Sequence, residues 1–114
     1  MISIRSYTDC DFDGVKQLNI LASSGKSFSM NDIHLPIKNI RKKYFKTGGH
    51  FWVAEDTKTK KIVGMVALRR IYSHIGKVKA LRVHPEYQGN GLGIKLMNTA
   101  EEFAKKQGIP RLKL

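Results

Sequence analysis

The hydrophobic pattern changes period several times along the chain. Residues 2–7, Ile-Ser-Ile-Arg-Ser-Tyr, alternate and predict a first strand. From Thr8 the spacing becomes helical. Phe12, Val15, Leu18 and Ala22 share one face, Thr8 or Asp9 is placed to cap, and acidic residues crowd the first turn, so a helix is expected to run to Ala22. Residues 23–32 are polar, contain a glycine and read as a loop. A second helix is predicted from near Pro36 to Phe45, with proline in its first turn and Ile37, Ile40 and Tyr44 as its apolar stripe. Thr47-Gly48-Gly49 stops it.

Two strand-like runs follow, His50–Asp56 and Lys61–Ile71, separated by Thr-Lys-Thr-Lys, and predict an antiparallel hairpin. A further run, Lys77–Val83, breaks the rule of two. Val78 and Ala80 lie on one parity and Leu81 and Val83 on the other. One extra residue near Ala80–Leu81, a β-bulge, would reconcile them; a strand buried on both faces is the other reading. A last helix is expected from about Gly91 to Gln107, with Leu92, Leu96, Met97, Ala100, Phe103 and Ala104 inward. Gly108 and Pro110 end it, before a short strand at Arg111–Leu114. The order is β-α-α-β-β-β-α-β: an α/β (α+β-like) domain with a mixed, largely antiparallel sheet flanked by helices, spanning residues 1–114 as one unit.

Between the fourth strand and the last helix lies Val83-His84-Pro85-Glu86-Tyr87-Gln88-Gly89-Asn90-Gly91-Leu92-Gly93. A strand-to-helix turn gathers free backbone N–H groups at the positive end of a helix dipole, and glycines let an anion approach the main chain. A tight turn needing positive φ at Gly89 or Gly91 is the alternative. The P-loop string G-x-x-x-x-G-K-[ST] is absent. The spacing G-x-G-x-G, with Lys113 near the place where an acidic residue would be needed, also does not fit the dinucleotide fingerprint.

Composition narrows the class. The chain has 114 residues with 41% hydrophobic and 26% charged, ordinary for one globular domain. A single cysteine, Cys10, precludes an internal disulfide and fits a reducing compartment. The N-terminus lacks a signal-peptide pattern, and no apolar stretch approaches the ~20 residues that span a membrane. A soluble cytoplasmic protein without membrane association is therefore expected. The net charge of +12 is the unusual feature. It attracts anions such as nucleic acid, acidic lipid or a phosphorylated small molecule, unless it is simply a lysine-rich solvated surface.

The segment Leu81–Gly108 resembles the acyl-CoA motif of the GNAT N-acetyltransferase superfamily. Gln88, Gly91 and Gly93 match that family's Q/R-x-x-G-x-G/A signature, Val83-His84-Pro85 matches its usual strand end, and Phe51–Leu68 is similar to its second and third strands, with Gly64 in a familiar place. The resemblance covers essentially the whole chain. It implies acetyl-CoA as acyl donor and direct attack of a primary amine on the thioester. The backbone of Leu81, Arg82 and Val83 would pair with the pantetheine arm, and an N–H there, that of Val83, would polarise the thioester carbonyl. The amides of Gln88, Gly89, Asn90, Gly91, Leu92, Gly93 and Ile94 would wrap the pyrophosphate.

The same resemblance marks departures. Many members place a carboxylate on the fourth strand to deprotonate the amine, whereas this chain has Lys77, Val78, Lys79 and Ala80 there. Glu86, Glu55, Asp56 and His84 are the nearby titratable groups, and none is assigned the catalytic role. Members usually continue past the fifth strand, often with a tyrosine that protonates the leaving thiolate. Tyr7, Tyr44, Tyr72 and Tyr87 all lie upstream, so the domain is expected to be C-terminally incomplete, with a fifth-strand edge that a second copy would cover. Phe28 and Met30 are candidates to touch the acceptor. His34, His50, His74 and His84 have no metal-ligand spacing and no metal is expected. Trp52 reads as core, and the basic segment Lys38–Lys46 as a solvated face without the aromatic interleaving of an RNA-binding surface. The leading expectation is an N-acetyltransferase acting on a small-molecule or peptide amine. The alternatives are a non-catalytic acyl-CoA-binding module and a basic nucleic-acid-associated domain that keeps only the fold.

Overall fold

The computed structural model describes residues 1–22 and 39–113. A five-stranded sheet in the order β1-β2-β3-β4-β5 forms its centre. The strands are β1 (Ile2–Ser6), β2 (His50–Asp56), β3 (Lys61–Tyr72), β4 (Ile75–Val83) and β5 (Arg111–Lys113). Successive strands are antiparallel up to β4, and β5 joins β4 in parallel. Helices α1 (Phe12–Ala22) and α2 (Ile40–Lys43) cover one face and α3 (Leu92–Lys106) the other. The expected element order and class are those observed. Of the second predicted helix only Asn39 onward is described, and the α-helix there spans Ile40–Lys43. Ile40 and Tyr44 are buried there, while Ile37, Phe28, Met30 and His34 lie outside the described residues.

Two layers of core follow from the alternation of β3. Met65 and Ala67 face α1 and α2, joining Val15, Leu18, Tyr44 and Phe51; Val66 and Leu68 face α3, joining Leu92, Leu96 and Ala100. Both faces are covered, which explains why residues 62–68 form an unbroken buried run rather than an alternating one. Gly64 lets α3 lie close: a Cβ there would stand 3.0 Å from Leu96 Cδ1 and 3.2 Å from Ala54 Cβ.

Helix α1 departs from its expected face. Residues 9–11 form a 3₁₀ turn and the α-helix starts only at Phe12. Phe12 is 40% exposed and Asp11 is buried instead. The Asp11 carboxylate accepts from Arg5 Nη1 and Nη2, both at 2.8 Å, and from the Thr8 N–H at 2.9 Å. Those bonds hold the first turn tight and draw Asp11 inward at the expense of Phe12. The Arg5 hydrogen bonds are also the main reason the Asp11 carboxyl lies below the usual range, against the opposing effect of burial.

The parity break in β4 is a bulge. Met65 pairs with Arg82 and Ala67 with Lys79, so Val66 faces both Ala80 and Leu81. Ala80 has φ +55°, a left-handed conformation costly for a residue with a Cβ. The bulge returns Leu81 and Val83 to the α3 face that Val78 already occupies, while Ala80 packs on the α1 face. The bulge thus unites Val78 with Leu81 and Val83 as expected, but Ala80, expected on that same face, lies on the other.

Candidate functional site

Beyond the bulge, β4 loses its outer neighbour. β5 pairs with Ile75, Gly76 and Lys77 only, so among the described residues the edge at Leu81–Val83 is open. The His84 N–H donates to Val63 O at 2.8 Å. Alternation then points the backbone groups of Leu81 and Val83 away from β3, toward the open edge. Side chains meet the two carbonyls: Arg82 Nη1 donates to Leu81 O at 3.0 Å, and Gln88 Nε2 donates to Val83 O at 3.2 Å. The Leu81 and Val83 N–H groups face the edge as donors.

A 3₁₀ turn at Pro85–Tyr87 leads to the glycines. Gly89 and Gly91 adopt φ +84° and +80°, and a Cβ at either would meet nothing within 4 Å. Gly91 is the N-cap of α3. Its carbonyl accepts from Lys95 N at 3.1 Å, which leaves the N–H groups of Leu92, Gly93 and Ile94 without helical partners. No side chain caps them and no acidic residue lies in the first turn. The positive end of a 15-residue helix thus stands at an open space. A cavity of about 380 Å³ lies there. Leu81 and Val83 line it from the strand; Gln88, Gly89 and Gly91 from the turn; Leu92 and Gly93 from the helix. Of the other residues expected at this site, Arg82 projects to the opposite face of the sheet, Asn90 is exposed, and Ile94 has an exposed side chain.

Tyr87 also lines this cavity, a residue that sequence spacing did not single out for it. Its hydroxyl donates to Asp56 Oδ2 at 2.7 Å, tying the β2–β3 hairpin to the turn. That bond is the main reason the Asp56 carboxyl sits below its usual value and the Tyr87 phenol above its own. Only the pairing of two residues 31 positions apart could have revealed it, and periodicity carries no such signal.

The candidate proton-handling groups are otherwise engaged. Glu55 accepts from Arg5 Nε at 3.3 Å. Asp56 is bound to Tyr87 and to the Lys58 N–H. His84 is 6% exposed, and its Nδ1 accepts from the Glu86 N–H at 3.1 Å. A backbone N–H can only donate, so the neutral ring carries its hydrogen on Nε2 and presents a donor there, not a lone pair. His84, Gly14, Leu18 and Ile62 border a second cavity of about 600 Å³ on the α1 face, with Lys60 and Lys61 at its edge. Tyr7 and Tyr44 are buried and Tyr72 is exposed. Trp52 is buried against Phe103 and His50. Among the described residues no group of three or more His, Cys, Asp or Glu side chains gathers as metal ligands, and no helix is long and apolar enough to cross a membrane.

Residues 18–114 match the family model described as Acetyltransferase (GNAT) family. No curated protein matches the chain. Solved structures of similar fold include an acetyltransferase of the GNAT family from Staphylococcus aureus Mu50, with a TM-score of 0.86 and 23% identity, covering 96% of this chain and 69% of that one. An acetyltransferase from Streptococcus agalactiae 2603 gives 0.81 and 26%, covering 93% and 67%. A GNAT family acetyltransferase from Brucella melitensis, solved in complex with acetyl-CoA, gives 0.80 and 19%, covering 96% and 71%.

Proposed function

The chain belongs to the acetyltransferase (GNAT) family, and from that premise we propose that its open β4 edge and glycine turn bind acetyl-CoA for transfer of the acetyl group to a primary amine. The observation that carries the reading is the uncapped start of α3: three N–H groups and a helix dipole aimed at a space that glycines keep clear. Groups left this way suit a pyrophosphate. The donor set fits it in number and in charge, and the +12 net charge favours encounter with a polyanionic donor.

The roles of the chain's own atoms follow from their directions. The N–H groups of Gln88, Gly89, Asn90, Gly91, Leu92, Gly93 and Ile94 wrap the diphosphate. The outward N–H groups of Leu81 and Val83 offer an extended arm the donors of an added strand, while their carbonyls already accept from Arg82 and Gln88. The Val83 N–H is the donor placed to stabilise negative charge on a carbonyl oxygen held at that edge, a contribution of about 3 kcal/mol in comparable sites. Acetyl-CoA supplies the activated acyl group and a thiolate leaving group; the protein supplies position and this donor. An amine with pKa near 10.4 must lose a proton before it attacks.

One observation favours a donor-binding module without transfer. On β4, Lys79 occupies the position where a carboxylate was expected, and Glu55, Asp56 and His84 are committed to other partners. Two measurements separate the readings. Thermal unfolding with CoA tests the site, with about 2.7 kcal/mol of stabilisation expected at 100 times the dissociation constant. No shift at millimolar CoA removes both readings and leaves salt-sensitive nucleic acid binding to be tested. Thiol release with a panel of amines then distinguishes transfer from binding alone. β5 is an edge strand among the described residues, and pairing with a second copy across it is part of the proposal. A single monomeric species by light scattering at high protein concentration would remove that part.

A further inference from the structure

The face of β4 that looks toward α1 and α2 is strongly cationic. Val78 faces α3, so Lys77 and Lys79 stand on the opposite face; past the bulge, Arg82 stands there between Leu81 and Val83. Arg69 of β3 lies directly opposite Lys77 in register, and the small Ala67 lies opposite Lys79. Lys77, Lys79 and Arg82 are half-buried. The ion pairs among the described residues are Arg5–Asp11, Arg5–Glu55 and Arg41–Asp9, and none of these four cations takes part. The crowding has a separate signature. The Lys79 ammonium is held below its usual value by burial first, and then by the positive charges of Lys43, Lys77 and Arg69.

We infer that this cationic face of β4 holds an oxyanion of the acceptor, so that the amine substrate is a small molecule carrying a phosphate or carboxylate near its nitrogen. The inference rests on the donor reading above. With the acyl group held along the Leu81–Val83 edge and α3 filling one side of the sheet, the amine approaches from the other side, at β4, where the cover of α1 and α2 leaves Lys79 and Arg82 half-exposed. An oxyanion there accepts charge-assisted hydrogen bonds and relieves the repulsion among the four cations. A lysine-rich peptide acceptor would add to that repulsion.

The test is a chemical-shift titration of the CoA-saturated protein with 2-aminoethyl phosphate, 3-aminopropanoate and ethanolamine. At least one of the two anionic amines is expected to bind about tenfold or more tightly than ethanolamine. Tighter binding of the phosphate assigns a phosphorylated acceptor, and tighter binding of the carboxylate assigns an amino acid-like one. The double substitution Lys79→Gln with Arg69→Gln, and separately Lys77→Gln, should reduce the preference and leave the CoA-induced thermal shift at its wild-type size. Equal binding of the three amines, or a preference that survives both variants, overturns the inference while the donor reading stands. Displacement of 2-aminoethyl phosphate by a short RNA duplex at low salt also overturns it, in favour of a polyanion surface. A wild-type protein with no CoA shift overturns the donor reading itself, and that result is visible before any amine is added.

Discussion

The two halves of β4 solve opposite problems. Over Ile75–Lys77 the strand is paired with β3 on one side and β5 on the other. Gly76 there is hemmed in: a Cβ would stand 3.0 Å from Leu68 Cδ1 and 3.2 Å from Leu112 Cδ2. Over Leu81–Val83 the strand keeps β3 but has no partner on its outer edge among the described residues, and the turn beyond it has glycines with nothing within 4 Å. The first half spends its backbone on the sheet and its side chains on the core. The second leaves backbone donors facing open space. Ala80 separates them, with a strained φ of +55° at the boundary. A single residue thus converts a structural strand into a binding edge without taking Leu81 and Val83 off the face that α3 covers.

The closed half should break first under truncation. Leu68 is fully buried and sits opposite Val78. Leu68→Ala is expected to cost about 2–5 kcal/mol by urea denaturation, with the CoA response retained wherever the protein is still folded. Loss of the CoA response at temperatures where the variant is folded would show that the two halves are not separable.

Deleting Ala80 attacks the boundary. With the extra residue gone, Leu81 alone stands opposite Val66 and plain alternation keeps Val78, Leu81 and Val83 on the α3 face, so the register survives and what is lost is the bend that the bulge puts into the strand. The sheet should still form, measured by far-UV circular dichroism. The CoA-induced stabilisation, about 2.7 kcal/mol at 100 times the wild-type dissociation constant, should fall, because the straightened strand no longer turns its outer edge at Leu81–Val83 as the bulge does. An undiminished shift would mean that the bulge at Ala80 does not shape the donor edge.

Gly91→Val probes the open half alone. The substitution meets no neighbour, so its structural cost is the positive φ, roughly 1–2 kcal/mol. The branched side chain fills space beside the free N–H groups of α3, and calorimetry should show CoA affinity reduced by about tenfold or more. A variant that loses stability but binds normally would make the turn purely structural.

The open half was also the more legible of the two in the sequence. A change of period, a proline and glycines at 89, 91 and 93 all mark the same few residues, and the parity conflict at Ala80–Leu81 offered the bulge as one of two readings. These are local features, and local features survive in a linear string. What stayed hidden depends on pairs distant in sequence. Asp11 took the inward place expected of Phe12 because Arg5, six residues away and on another element, reaches it. The Tyr87–Asp56 bond and the second cavity beneath α1 need the packed fold before they exist. The cationic face is legible only after register sets Arg69 against Lys77, since the same lysines read along the chain are indistinguishable from an ordinary soluble surface.

The smallest expected effect comes from Tyr87→Phe, which removes the hydrogen bond from the turn to Asp56 of the β2–β3 hairpin without changing the ring. The bond needs an ionised carboxylate and a protonated phenol. Asp56 has its carboxyl below the ordinary 3.8, so its share of stability is present above that value and is lost as pH falls through the lowered one. Tyr87 has its phenol above the ordinary 10.0, so its share is present below that value and is lost as pH rises through the raised one. Between those limits the wild type should be slightly more stable than the variant, and the difference should shrink at both the acid and the alkaline ends. Urea midpoints across that range measure it. A difference that grows toward low pH would show that the hydroxyl is not held by the ionised carboxylate. Because the hydroxyl is spent on Asp56, the variant should bind CoA nearly as well as the wild type, which would leave the backbone of the open half, rather than this side chain, as the source of donor affinity.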